Sequence, residues 1–254
     1  MLDLALETRL DANQLDYLGT ARESAELLLG VIDDVLDFSK IEAGQLDIES
    51  VPFNLREALE LAAESVARRA GEKGLELVVD MDPTLPDRVV GDPLRVRQVL
   101  VNLLGNAVKF TEAGEVVVAA RALAGGPDAV TIQFSVRDTG IGIPEGKRDA
   151  IFDAFAQADS STTRQFGGTG LGLSISGKLL DLMGGTLSLE SEVGSRSTFS
   201  FRLRLGVAAD RSLDGADIEG LKGVRVLVVD DNMTNRRVLS GMLRSWEMRP
   251  ELAS

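Results

Sequence analysis

Leu18, Ala21, Ala25, Leu28, Ile32 and Val35 recur at alternating three- and four-residue steps, and Leu29 and Leu36 widen the stripe they draw. Positions so spaced share one face of an α-helix, and so broad an apolar face suits a bundle member or a plain amphipathic helix. Asp11 can cap its start, no proline interrupts it through Ala43, and Gly44 supplies a stop. Residues 54–73 then read as a second helix and Leu75–Met81 as a strand. Asp92–Lys109 opens with Asp-Pro, an N-cap followed by proline at the first helical position. Val116–Arg121 and Val130–Asp138 read as strands on either side of Gly125-Gly126-Pro127, Gly170–Met183 as a helix, and Thr186–Glu192 with Ser197–Leu205 as a hairpin around Gly194. Helices with strands adjacent in sequence predict an α+β two-layer sandwich over residues 50–206. Residues 207–222 read as a linker. Val224–Val229 is a further apolar strand ending in Asp230-Asp231, with a helix expected over Asn232–Leu243. A buried parallel strand that delivers carboxylates at its C-terminal end is where α/β domains place ligand sites.

Composition narrows the function. The 254 residues carry 44% hydrophobic and 26% charged residues, ordinary values for a globular protein. A net charge of −13 argues against nucleic-acid or anionic-membrane partners, which it would repel. It leaves room for a local cationic pocket around Lys109 and Arg164. The chain has no cysteine, which excludes disulfides and thiol chemistry and fits a cytoplasmic setting. No apolar run approaches the roughly 18 residues of a membrane span, and Asp3, Glu7, Arg9 and Asp11 break any signal-peptide core.

Three separated motifs carry the chemistry: Asn102-Leu-Leu-Gly-Asn106-Ala-Val-Lys109-Phe110, Asp138-Thr-Gly140-Ile-Gly142-Ile143-Pro144 and Gly167-Gly168-Thr169-Gly170-Leu171-Gly172-Leu173. The first offers amide oxygens to a metal and a cation to phosphates. The second offers a carboxylate with glycines that let backbone approach, and the third a glycine-rich start to a helix whose free N–H groups attract phosphate. In this order they resemble the asparagine box and the two glycine boxes of sensor histidine kinases, which share a Bergerat-type ATP-binding fold with gyrase-type ATPases and a heat-shock chaperone family. Phe152-Asp-Ala-Phe155 resembles the phenylalanine box of the same kinases. The resemblance runs from about Asp11 to the chain end and is densest between Asp92 and Leu173.

The resemblance implies ATP and Mg2+ as cofactors and gives each residue a role. Asp138 would accept a proton from the exocyclic amino group of adenine, where guanine has a carbonyl; a turn aspartate after a strand is the bland alternative. Gly140, Gly142 and Ile143 would form the wall beside the base. Asn106 would bind the magnesium on the triphosphate, with Asn102, four residues earlier on the same helix face, in support; two polar residues on an exposed helix face is the alternative. Lys109 would reach the phosphates as a point charge. Gly168, Gly170 and Gly172 would line the other side, with Thr169 and Leu171 giving backbone N–H groups. Residues 145–166 resemble a mobile lid in which Arg164 either stabilises charge during transfer or is simply solvated. In the gyrase-like relatives a glutamate four residues before the metal-binding asparagine is the base for water. Here that place is Asn102, which takes no proton at neutral pH, so transfer to a protein nucleophile is the expected use of ATP.

The resemblance also frames both ends. Asp33-Asp34-Val-Leu-Asp37-Phe-Ser-Lys40-Ile-Glu42-Ala-Gly44 resembles the end of the second dimerisation helix of hybrid kinases. Residues 1–46 are therefore expected to be part of a homodimerising helical domain. The chain has no histidine, so the phosphoacceptor is expected just before Met1 in a longer protein. Residues 223–254 resemble the start of a receiver domain, with Asp230 and Asp231 as its acidic metal-binding pair. A whole receiver needs roughly 100 residues, so this remnant is expected to be incomplete and inert, its strand without neighbours. A receiver or histidine phosphotransfer domain is the expected downstream partner. The activity implied is transfer of the ATP γ-phosphoryl to histidine in a phosphorelay. A degenerate ATP-binding module and a free-standing ATPase remain alternatives at this stage.

Overall fold

The computed structural model describes residues 2–6, 8, 10–154, 170–208 and 218–254. The chain divides into two compact units, residues 1–47 with 151–175, and residues 48–150 with 176–254.

The first unit contains α1 (Leu2–Leu6) and the long α2 (Ala12–Glu42). Asp11 caps α2 as the sequence predicts: its side chain accepts from the Gln14 N–H, and the Gln14 side chain reaches back to the Asp11 N–H. This reciprocal box satisfies two donors that a helix start leaves open. Gly44, at φ +63°, ends the helix in the left-handed region. Along α2, Leu28 is 59% exposed and Ile32 45%, and Val35 and Leu36 are also exposed, so the apolar stripe faces open space.

The second unit is built on a mixed sheet. Its strands are β1 (Val51–Asn54), β2 (Glu76–Met81), β3 (Arg88–Gly91), β4 (Glu115–Gly125), β5 (Ala129–Asp138), β6 (Thr186–Glu192) and β7 (Arg196–Val207). The order is β1-β3-β7-β5-β4-β2, with β6 pairing beside the first half of β7. Only the β2–β4 pair among these is parallel. Alternation in β4 and β5 sends Val116, Val118, Phe134 and Val136 to one fully buried face. Phe134 and Phe201 stack across β5 and β7 with centroids 4.8 Å apart. Helices α3 (Leu55–Glu72) and α4 (Pro93–Phe110) pack on each other and on this sheet. The two-layer α+β sandwich predicted from the sequence is therefore the observed architecture. Helix α5 (Gly172–Leu182) buries Leu179 and Leu180 completely.

The differences from the sequence reading have local causes. β4 and β5 run on to Gly125 and from Ala129, because a register shift between Ala122 and Ala124 absorbs the irregularity before the turn. β1 and β3 are four-residue strands paired to each other, and Pro52 is tolerated because β1 is the sheet edge. β7 extends to Val207, two residues past the expected hairpin, by pairing with β3.

The C-terminal segment corrects one expectation. Strand β8 (Arg225–Val229) does have a neighbour: β9 (Arg249–Ala253) pairs with it in parallel, joined by α6 (Met233–Ser245). The short, polar Arg249-Pro-Glu-Leu-Ala stretch carries little strand periodicity, yet Arg225 and Glu251 pair across the ladder. Leu227 and Val229 nonetheless remain exposed. Of the expected linker, Val207 belongs to β7, Ile218–Leu221 form a 3-10 turn, and residues 209–217 lie outside the described residues.

Candidate functional site

Helix α4 carries the first group of candidate residues. The Asp92 carboxylate accepts from the Arg95 N–H at its start and from the Glu49 N–H across the chain. Its apolar positions, including Leu100, Leu103, Leu104, Ala107 and Val108, are buried in the core. That orientation leaves Asn102, Asn106 and Lys109, at i, i+4 and i+7, half-buried on one shared face. At the helix end, Lys73 Nζ donates to the carbonyl oxygens of Val108 at 2.7 Å, Lys109 at 3.0 Å and Thr111 at 3.0 Å. A helix C-terminus lacks partners for its last carbonyls and carries partial negative charge, so an ammonium there fixes the turn that carries Lys109. Desolvation holds the Lys109 pKa below the ordinary lysine value, and its ammonium lies 4.8 Å from the Phe110 ring centroid.

Asn102 is oriented by a contact that the sequence reading did not find. Its Nδ2 donates to Ser176 Oγ at 2.8 Å, and Ser176 is buried on α5. The amide nitrogen being engaged there, the amide oxygen turns the other way. A serine among the apolar positions of this helix, between Ile175 and Leu179, is the available signal.

Asp138 ends β5 and is only 5% exposed. It shares the buried face of the sheet with its register partner Val116. Burial raises its carboxyl pKa, against the lowering effect of the Gly140 and Ser197 N–H groups and the Arg137 charge; the net shift is upward. The Gly140 N–H bond is 2.9 Å. A carboxylate held only by main-chain donors among these bonds keeps acceptor capacity for a further donor.

The turn after Asp138 leans on the end of α4. The Ile141 N–H donates to the Phe110 carbonyl oxygen at 3.4 Å, and a side chain on Gly140 would collide with that same oxygen. Gly142 has φ +68°, and a Cβ there would run into the Glu192 carbonyl. The Ile143 N–H donates to Ser191 Oγ at 2.7 Å, and Arg148 donates to the Ser191 carbonyl at 2.6 Å. Thus the structure brings Gly140 and Ile141, just after Asp138, against the Phe110 end of α4, and Gly142 and Ile143 against the end of β6.

Gly170, Leu171 and Gly172 stand in the other unit, at the start of α5. Gly170 has φ +70°, Leu171 is buried, and the Leu171 carbonyl accepts from Ile175 N–H and Ser174 Oγ. Arg164, Gly168 and Thr169 lie outside the described residues. Asp230 and Asp231 follow β8 and are not part of the Asp138 cluster. The Asp230 carboxylate accepts from the Asn232 N–H at 2.7 Å and from Asn235 Nδ2. Among the described residues no group of three acidic or imidazole side chains could hold a metal by itself, and no helix is long and apolar enough to cross a membrane.

Comparison with known proteins gives the chain its relatives. Residues 91–207 match the family model described as histidine kinase-, DNA gyrase B-, and HSP90-like ATPase. The signal transduction histidine-protein kinase BarA of Escherichia coli K12 is 46% identical over 231 residues, covering 90% of this chain and 25% of BarA. Sensor histidine kinase GacS of Pseudomonas protegens is 44% identical over 242 residues, 94% of this chain and 26% of GacS. The chain thus spans about a quarter of the length of these relatives. Among solved structures, full-length ShkA in complex with AMPPNP superposes with a TM-score of 0.78 at 34% identity, covering all of this chain and 51% of ShkA. The catalytic domain of histidine kinase ThkA gives a TM-score of 0.52 at 28% identity over 61% of this chain and 95% of that domain. Residues 91–207 therefore carry a domain of the histidine kinase-, DNA gyrase B- and HSP90-like ATPase family, and the relatives and solved structures that the chain resembles are histidine kinases.

Proposed function

We propose that this chain is the Mg-ATP-binding catalytic region of a hybrid sensor histidine kinase, delivering the γ-phosphoryl group to a histidine on another segment of the phosphorelay. The observation that carries the reading is Asp138: a buried carboxylate at a strand end, held by main-chain N–H groups, beside two glycines where a Cβ would strike the Phe110 and Glu192 carbonyl oxygens. Asp138 reads the adenine amino group. Asn106 offers one neutral amide oxygen, which fits magnesium that arrives on the triphosphate with its other oxygen ligands supplied by phosphate and water. Lys109 sets a positive charge at the phosphate side, and Asn102, its amide locked by Ser176, supports Asn106. The family resemblance assigns Gly168, Thr169, Gly170, Leu171, Gly172 and Arg164 to the phosphates. The complex of ShkA with AMPPNP supports nucleotide binding at such a domain.

Asn102 also decides between kinase and hydrolase. An amide cannot take a proton from water at neutral pH, so Asn102 does not serve as a base for hydrolysis. With no histidine in the chain, the acceptor comes from a helical dimerisation domain. Residues 1–46 contribute to that domain, and the exposed Leu28, Ile32 and Val35 face supports homodimerisation through it. Residues 223–254 open a receiver domain, with Asp230 and Asp231 as its acidic pair, and a receiver or phosphotransfer domain takes the phosphoryl onward. The test is incubation of the chain with γ-labelled ATP and a separately made histidine-bearing dimerisation domain. Acid-labile label on that domain, dependent on magnesium and lost in Asp138→Asn, is the expected result. Steady phosphate release without any acceptor would replace the kinase reading with an ATPase one.

A further inference from the structure

The α6 helix begins on the outer face of the catalytic sheet, opposite the core. Glu76, Asp80 and Glu115 share that face by register, since Glu76 pairs with Glu115 and Asp80 with Ala119 in the parallel β2–β4 ladder. Four polar bonds cross from the C-terminal unit to these three carboxylates, and in every one the C-terminal unit donates. Asn232 Nδ2 and Thr234 Oγ1 donate to Glu115 at 3.2 and 3.1 Å, Asn235 Nδ2 to Glu76 at 3.4 Å, and Arg237 to Asp80 at 3.1 Å. Thr234 is buried by the contact. Donors on one side and acidic acceptors on the other make the two surfaces complementary rather than merely adjacent.

Glu115 has a second set of bonds, made by its main chain. Its N–H donates to Thr139 Oγ1 at 3.0 Å, and its carbonyl accepts from the Thr139 N–H at 3.2 Å. Thr139 sits between Asp138 and Gly140, whose N–H holds the Asp138 carboxylate. The Glu115 side chain also pairs with Arg137, the residue before Asp138, whose positive charge acts on the Asp138 carboxyl. One residue therefore touches α6 with its side chain and the Asp138 turn with its backbone.

We propose that Glu115 is a positioning residue that couples docking of the β8–α6–β9 unit on the outer face of the sheet to the order of the Asp138–Ile141 turn at its inner face. When α6 is seated, Asn232 and Thr234 hold the Glu115 carboxylate and with it the start of β4. When α6 leaves, Glu115 keeps only Arg137, and the β4 start and the Thr139 bonds loosen together. The coupling belongs to the chain itself and is read without nucleotide, so it stands or falls separately from the ATP reading.

Hydrogen exchange of the full 254-residue chain tests this, comparing the parent with Thr234→Val/Arg237→Glu, which removes one donor to Glu115 and sets a carboxylate against Asp80. Exchange should accelerate at least about tenfold in α6, as expected from losing bonds to charged acceptors. It should accelerate in parallel at the Thr139, Gly140 and Ile141 amides, while Ile132 and Phe134 at mid-strand stay unchanged. Thr234→Ser/Arg237→Lys, which keeps hydroxyl and charge, should restore the parent pattern at both places. Release of α6 with the turn unchanged would overturn the coupling. Equal α6 exchange in parent and variant would overturn it too, because these contacts would then not hold the unit in place.

Discussion

Asn102 Nδ2 donates to Ser176 Oγ at 2.8 Å, joining two helices through residues 74 apart in the chain. The bond fixes which end of the Asn102 amide faces Ser176, and so which end is left for a ligand. Ser176→Ala should cost about 0.5–1.5 kcal/mol of stability, the usual net value of one such bond. It should weaken Mg-ATP binding more than Mg-free ATP binding, because the amide that supports Asn106 is then free to flip. Urea denaturation and calorimetric titration with and without magnesium measure the two effects.

Lys73→Met keeps the aliphatic stem but removes the ammonium that holds the carbonyls of Val108, Lys109 and Thr111. The loss should be about 0.3–1 kcal/mol in stability, the scale of an exposed cation at a helix C-terminus. Fraying of that turn should displace Lys109, so ATP affinity falls although Lys73 has no place in the proposed nucleotide contacts. Thermal unfolding and nucleotide titration of the same variant separate the two consequences.

Much of this was legible beforehand. Asp92-Pro93 announced α4, Asp11 and Gly44 bounded α2, and strand alternation placed Asp138 at the end of β5, because each rests on local chemistry that a short window contains. Edge pairing is different. Arg88–Gly91 and Arg249–Ala253 become strands only because a partner strand offers them a ladder, which nothing inside four or five residues announces. Ser176, Lys73 and Glu115 were missed for the same reason: each acts on a segment tens of residues away, and an exposed lysine or a helical serine reads as background until the fold brings its partner in.

Gly142 sits at φ +68°, and a Cβ there would strike the Glu192 carbonyl. Gly142→Ala combines left-handed strain with a backbone collision that no side-chain motion relieves, so destabilisation of at least about 2 kcal/mol is expected. Gly146→Ala, where a Cβ meets nothing within 4 Å, is the internal control and should stay within about 0.5 kcal/mol of the parent. Chemical denaturation of the pair reads the difference.

Asp138 gives the chain a pH dependence with two opposite signs. Burial raises its carboxyl pKa above the ordinary aspartate value. Ionising it is therefore harder in the fold than in the unfolded chain. The contribution of Asp138 to stability is greatest when the group is protonated in both states, and it declines as pH rises from the unfolded pKa through the folded one. Nucleotide binding runs the other way, because only the carboxylate accepts the adenine amino proton with full strength. ATP affinity should thus fall on acidification, beginning at a higher pH than an exposed aspartate would require, while the Asp138 contribution to stability grows. Asp138→Asn should flatten both trends and weaken binding near neutral pH by about 1–3 kcal/mol, the value of a lost charge-assisted bond. Titrating adenosine beside ATP removes the ionisation of the phosphates from the comparison. If adenosine affinity in the parent shows no acid limb that Asp138→Asn abolishes, Asp138 is not the residue that reads the base.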